Sequence, residues 1–114
     1  MTSKKTSKCV KSILERIDSI EKMCAKNGVN FALKNEELEQ ATILMALVRI
    51  FQQFKILQKS SEQELLEPIS QHFESLKKLT TTIINDFDNL DFTAVKQFID
   101  NDLPKVKAKF TQIL

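Results

Sequence analysis

The stretch "ATILMALVRIF", residues 41–51, decides the fold. Only Thr42 and Arg49 break its apolar run, and no Gly, Pro or alternating polar pattern makes it a strand. It sits inside a longer helical pattern. Asn35 is an N-cap candidate, Glu36 and Glu37 favour the first turn, and the helix is predicted to run to about Lys59. A helix with one apolar stripe packs on one neighbouring layer, whereas a helix apolar nearly all round is surrounded. In a small bundle that makes it central, or gives its second face to another subunit. The second option predicts a homodimer through Ile43, Leu44, Leu47, Val48 and Phe51.

Working outward, Val10, Ile13, Leu14, Ile17, Ile20 and Cys24 follow helical spacing over about 7–26. Ser7 or Ser3 would cap that helix, and Asn27–Gly28 is a stop signal. "VNFALK" reads as a connector. Ser60 and Ser61 each have Gln or Glu three residues on, two overlapping capping-box patterns. They open a short segment over 61–67 that ends at Pro68. Ile69, Phe73, Leu76, Ile83 and Phe87 mark the next helix, about 69–87, locally weakened by Thr80, Thr81 and Thr82. "DNLD" is a turn with Asp91 as N-cap. Val95, Phe98, Ile99, Leu103, Val106, Phe110 and Ile113 carry a last helix, which Pro104 should kink or split. The expected architecture is therefore all-α, an antiparallel bundle of four to five helices in one domain over 1–114.

Composition narrows the function. The 42% hydrophobic and 28% charged balance is that of a soluble globular chain. Net charge is +2, but residues 1–30 hold seven Lys/Arg against three Asp/Glu, residues 60–102 hold three against nine, and 103–114 hold three Lys and no acid. No single basic face is promised, so RNA is not the expected partner. One Gly excludes a glycine-rich phosphate loop. No membrane span and no signal peptide is visible. Cys9 and Cys24, about 22 Å apart along one helix, cannot bridge each other. Two free thiols suit a reducing compartment, and a cytoplasmic location is expected.

Metal and catalytic signals are sparse. His72 is the only His and has no Cys near it in sequence, so a zinc site is not expected. It reads as a surface or half-buried helical His. Asp86, Asp88 and Asp91 resemble a calcium loop only superficially, since Asp91 and Gln97 stand where that loop needs Gly and Glu. No cofactor is expected. Cys9 and Cys24 lie on or beside the apolar stripe of the first helix, as small hydrophobes do.

"ILERIDSIEKM", then "NEELEQATILMALVRIFQQFKIL", and finally "DNLDFTAVKQFIDNDLPKVKAKFTQIL" together cover nearly the whole chain. They resemble the HepT-like branch of the HEPN proteins, the toxin half of a prokaryotic pair whose other half is a minimal nucleotidyltransferase. "NDLPKVK" is the most specific piece. The resemblance implies a homodimeric helical bundle. In active members it also implies a metal-independent ribonuclease with an Arg, four to six residues, then His. There the His works as acid or base and the Arg stabilises phosphate charge. A following Tyr accepts AMP from the nucleotidyltransferase. Laid on that motif, this sequence has Thr80 for the Arg, Thr81 for the next Asn, Ile84 for the Val, Asn85 for the His and Phe87 for the Tyr.

Two functions follow as expectations. The first is a catalytically degenerate HepT-like protein, a dimeric protein-interaction module that can bind a nucleotidyltransferase-type partner. The second is a toxin-type ribonuclease that uses another set, His72 with Lys77 or Lys78, brought together by dimerisation.

Overall fold

The computed structural model describes residues 4–34, 39–60 and 62–113. Helix α1 spans Lys4–Asn27 and buries Val10, Ile13, Ile17 and Ile20 at helical spacing. It begins three residues before Ser7, which lies inside it; the alternative cap, Ser3, lies outside the described residues. Gly28 ends it with φ +93°, a left-handed conformation that glycine adopts without a Cβ penalty, and its N–H donates to the Cys24 carbonyl at 2.8 Å.

The chain then turns into a second helix. Val29–Lys34, expected as a connector, forms α2, with Ala32 and Leu33 buried. The Ala32 N–H donates to the Gly28 carbonyl at 3.1 Å, so one glycine closes α1 and opens α2. The cap proposed at Asn35, with Glu36 and Glu37, lies outside the described residues. Gln40 Nε2 donates to the Leu33 carbonyl at 2.9 Å and ties α2 to the next helix.

That helix, α3, spans Glu39–Gln58 and is the axis of the bundle. Ile43, Leu44, Ala46, Leu47, Val48, Ile50, Phe54 and Leu57 are all buried. α1, α2, α4 and a 3₁₀ segment at Gln63–Ile69 pack around it. The residues expected at a dimer surface are mostly buried within one protomer. Ile43 and Leu47 are 0% exposed inside one protomer, Leu44 and Val48 nearly so, and Phe51 is half-buried against Phe73. The all-round apolar character is used by the protomer's own helices. What α3 leaves outside is a ridge of Ala41, Met45, Arg49 and Gln52.

α3 runs antiparallel to α1, as the Thr6–Glu62 hydrogen bond at 3.0 Å shows at one end. Ser60 Oγ donates to the Leu57 carbonyl at 2.7 Å and accepts from the Glu62 N–H at 3.1 Å. This local turn replaces the capping box expected from Ser60, and Ser61 lies outside the described residues. The 3₁₀ segment contains Pro68 and passes straight into α4, Ser70–Asn85. One 3₁₀ turn, Phe87–Asn89, follows α4. Asp91 then caps α5 (Phe92–Gln97), its Oδ1 accepting from the Thr93 N–H at 2.9 Å. The last helix is divided by a π turn at Phe98–Asp102 before α6, Leu103–Ile113. Pro104 has no N–H to donate, and the wider turn just before it absorbs the lost bond. Phe54 links the layers, with ring centroids 5.6 Å from Phe73 and 5.8 Å from Phe110. The fold is all-α, and no strand occurs among the described residues.

Candidate functional site

The weak run Thr80–Thr82 stays helical within α4, and each hydroxyl bonds back into its own helix. Thr80 Oγ1 donates to the Leu76 carbonyl at 2.9 Å, Thr81 to Lys77 at 2.8 Å and Thr82 to Lys78 at 3.1 Å. Thr80 is 1% exposed, so an arginine at this position would have to leave the interior. Asn85 and Phe87 face solvent at the end of α4. The three positions expected to align with the family motif are therefore not gathered into one pocket. Thr80 is internal, while Asn85 and Phe87 form an external rim.

Phe87, but not Asn85, lines an apolar groove. Gln40, Ala41, Leu44, Met45 and Val48 of α3 face Ile83 and Ile84 of α4 and Phe87, around a volume of about 320 Å³. Met45 is 53% exposed, Ile84 64% and Phe87 46%. Phe87 lies edge-on to Phe92, ring centroids 6.4 Å apart. A second groove of about 430 Å³ lies on the other side of Met45, between α1 and α3. Arg16, Ser19, Met23, Thr42 and Arg49 line it, and Ala41 and Met45 are common to both grooves. The two grooves therefore form one continuous face. Arg16 Nε is buried there with no hydrogen-bond partner among the described residues.

The acidic turn is a capping turn. Asp86 ends α4 and its Oδ1 accepts from Asn89 Nδ2 at 2.8 Å, while Asp91 caps α5. Among the described residues no group of three His, Cys, Asp or Glu side chains is placed to hold a metal.

His72 is not a surface or half-exposed residue. It is buried on the inner face of α4, and its Nδ1–H donates to Asp102 Oδ2 at 2.9 Å. The π turn presents Asp102 for this contact. Lys77 and Lys78 are exposed, five and six residues further on. At about 100° per residue they leave α4 well away from the His72 direction. The three residues of the expected alternative set are thus not brought together within a protomer.

The cysteines carry no nucleophile signature. Cys9 is buried, and burial, followed by the charges of Asp100, Glu39 and Glu21, pushes the Cys24 thiol up, opposite to what a reactive thiolate needs.

Sequence reasoning missed three residues of this face, Met45, Arg16 and Arg49. One signal was available. Neither arginine has an acid three or four residues away on its helix, so neither charge is offset locally. Comparison of the chain with family models, with curated proteins and with solved structures finds no match.

Proposed function

We propose that this protein is a catalytically silent HepT-like bundle that acts as a homodimeric protein-interaction module, with a minimal nucleotidyltransferase as its candidate heterologous partner. One observation carries the reading. The helix end laid on the family's catalytic motif has Asn85 and Phe87 in place of His and Tyr, and it borders a solvent-open apolar groove. Asn cannot exchange a proton near neutral pH, and Phe offers no hydroxyl. An apolar rim of this kind suits contact with another protein better than contact with phosphate.

The ribonuclease alternative finds less support. It needs His72 at the surface, and His72 is buried against Asp102. It also needs cationic side chains beside it, and Lys77 and Lys78 leave α4 in other directions.

Three measurements test the reading. Light scattering of the purified protein should give twice 13.1 kDa. Incubation with RNA should give no cleavage, and His72→Ala should behave as wild type. For the partner, a HepT-type nucleotidyltransferase with ATP should leave the wild type unmodified, since the chain has no Tyr. At concentrations low enough to leave the protomers separate, Phe87→Tyr should gain one AMP with release of pyrophosphate, read as a mass increase. RNA cleavage lost in His72→Ala would overturn the silent reading in favour of the alternative.

A further inference from the structure

We infer that the Arg16–Arg49 groove is completed by a second copy of this chain, whose Asp86 and Asp88 enter it across an apolar centre of Met45, Ile84 and Phe87. This deepens the homodimer part of the reading above and rests on it.

Arg16 and Arg49 are the only arginines in the chain, and they line the same groove. The residues three and four positions away are Ser12, Ile13, Ser19 and Ile20 for one, and Met45, Ala46, Gln52 and Gln53 for the other. None can neutralise a guanidinium. Among the described residues the ion pairs are Lys22–Asp18, His72–Asp102, Lys96–Asp100 and Lys107–Glu21, and neither arginine takes part. Two like charges are therefore held on one shallow surface, and Arg16 Nε has no acceptor among the described residues. A planar guanidinium is the side chain best matched to a carboxylate.

The opposite edge of the same face has the opposite sign. Asp86 and Asp88 are exposed beside Phe87, and neither forms an ion pair among the described residues. Between the two edges lie Met45, Ile84 and Phe87, three of the four exposed large hydrophobic side chains among the described residues. The order across the face is arginines, apolar ridge, aspartates. Such a face is complementary to itself. Turned about a two-fold axis, one copy's arginine edge meets the other's aspartate edge, and the exchange occurs twice. The orientation that opposes arginine to arginine is disfavoured, so charge selects one docking mode. A small anion would satisfy the arginines but leave the aspartates and the apolar centre uncovered. A second copy accounts for all three.

Sedimentation equilibrium of the full chain tests this with Arg49→Asp, Asp88→Arg and the double variant. Circular dichroism first establishes that each is folded, as expected for exposed positions. The wild type should be a dimer that weakens as salt rises from about 0.05 to 0.5 M. Each single reversal should raise Kd at least about tenfold. The double variant should return to within about threefold of wild type. The two single variants, each weak alone, should form a heterodimer when mixed. The carboxylate introduced at position 49 of one chain then faces the guanidinium introduced at position 88 of the other, and the native pair forms at the second contact. A dimer indifferent to both reversals would overturn this contact while leaving the homodimer standing. A wild type that stays monomeric to about 0.5 mM would overturn both and leave the face to a different protein.

Discussion

Removing the imidazole of His72 should weaken the fold and leave no catalytic deficit. Its side chain is 8% exposed and that of Asp102 is 22%, with Nδ1 and Oδ2 2.9 Å apart. The bond joins α4 to the π turn, two segments 30 residues apart in sequence. A hydrogen bond to a charged group contributes about 1.5–3 kcal/mol. Asp102 keeps some water, so the lower end applies, and loss of the imidazole's packing adds somewhat less than about 1 kcal/mol. His72→Ala should therefore cost about 2 kcal/mol. At about 2.1 cal/mol/K per residue, a chain of 114 residues has an unfolding entropy of about 0.24 kcal/mol/K, which converts that loss to about 8 °C in Tm.

The assay is urea unfolding followed by far-UV circular dichroism for His72→Ala, Asp102→Ala and the double variant. A coupling energy of about 1–2 kcal/mol is expected, since the two side chains touch. A coupling below about 0.3 kcal/mol, the ordinary scatter of additivity, would refute the claim that this pair fastens the π turn to α4. An RNA-cleaving activity that vanished in His72→Ala with stability unchanged would refute it more directly.

Phe54→Ala should cost about 3–5 kcal/mol in the same unfolding assay, because Phe54 is 0% exposed and bridges Phe73 and Phe110. Gly28→Ala should cost about 1 kcal/mol although nothing lies within 4 Å of the added Cβ, since φ +93° is the obstacle and not space. Cys24 should alkylate more slowly in the folded protein than in urea at about pH 8.5, because its folded thiol is raised above the ordinary 9.0. For an acid raised on folding, the native state holds the proton longer, so this group's contribution to stability falls as pH rises past the unfolded value.

The periodic part of the fold was legible. α1, α3 and α4 are long enough for apolar spacing to speak, and Gly28 and Asp91 end and start helices as their chemistry demands. α2 was not legible, because six residues make fewer than two turns and offer no period to count. Pro104 announced a break in the last helix, but not that the break would take the form of a π turn at Phe98–Asp102. At the candidate site, the chemistry of Thr80, Asn85 and Phe87 could be read from letters, but their exposure could not. Thr80 points inward and Phe87 outward from the same helix end. The apolar run in α3 was ambiguous for a physical reason, since an interior contact and a subunit contact ask for the same residues. Only the placement of α1, α2 and α4 around α3 assigns Ile43 and Leu47 to the interior and Met45 to the surface.

That division yields a last prediction, which separates folding from association. Met45 and Ile84 are more than half exposed, so each contributes little to the free energy of one protomer. Glutamate is also a good helix former. Met45→Glu and Ile84→Glu should therefore change the unfolding free energy by no more than about 0.5 kcal/mol, measured dilute enough that the protomers are separate. Leu47→Glu, two residues from Met45 on α3, should behave in the opposite way. Leu47 is 0% exposed, and an unpaired carboxylate there has no water and no cation, so a loss above about 4 kcal/mol is expected. With total stability on the order of 6–17 kcal/mol for a chain of this length, such a variant would be marginal or unfolded. Equilibrium unfolding gives the first quantity and sedimentation the second. If Met45→Glu unfolded the chain as readily as Leu47→Glu, the Met45 ridge would be core and the grooves on either side of it would not form a contact surface. If both exposed-site glutamates left the fold intact and abolished the dimer, the ridge would be serving association alone, since the protomer's stability does not depend on its being apolar.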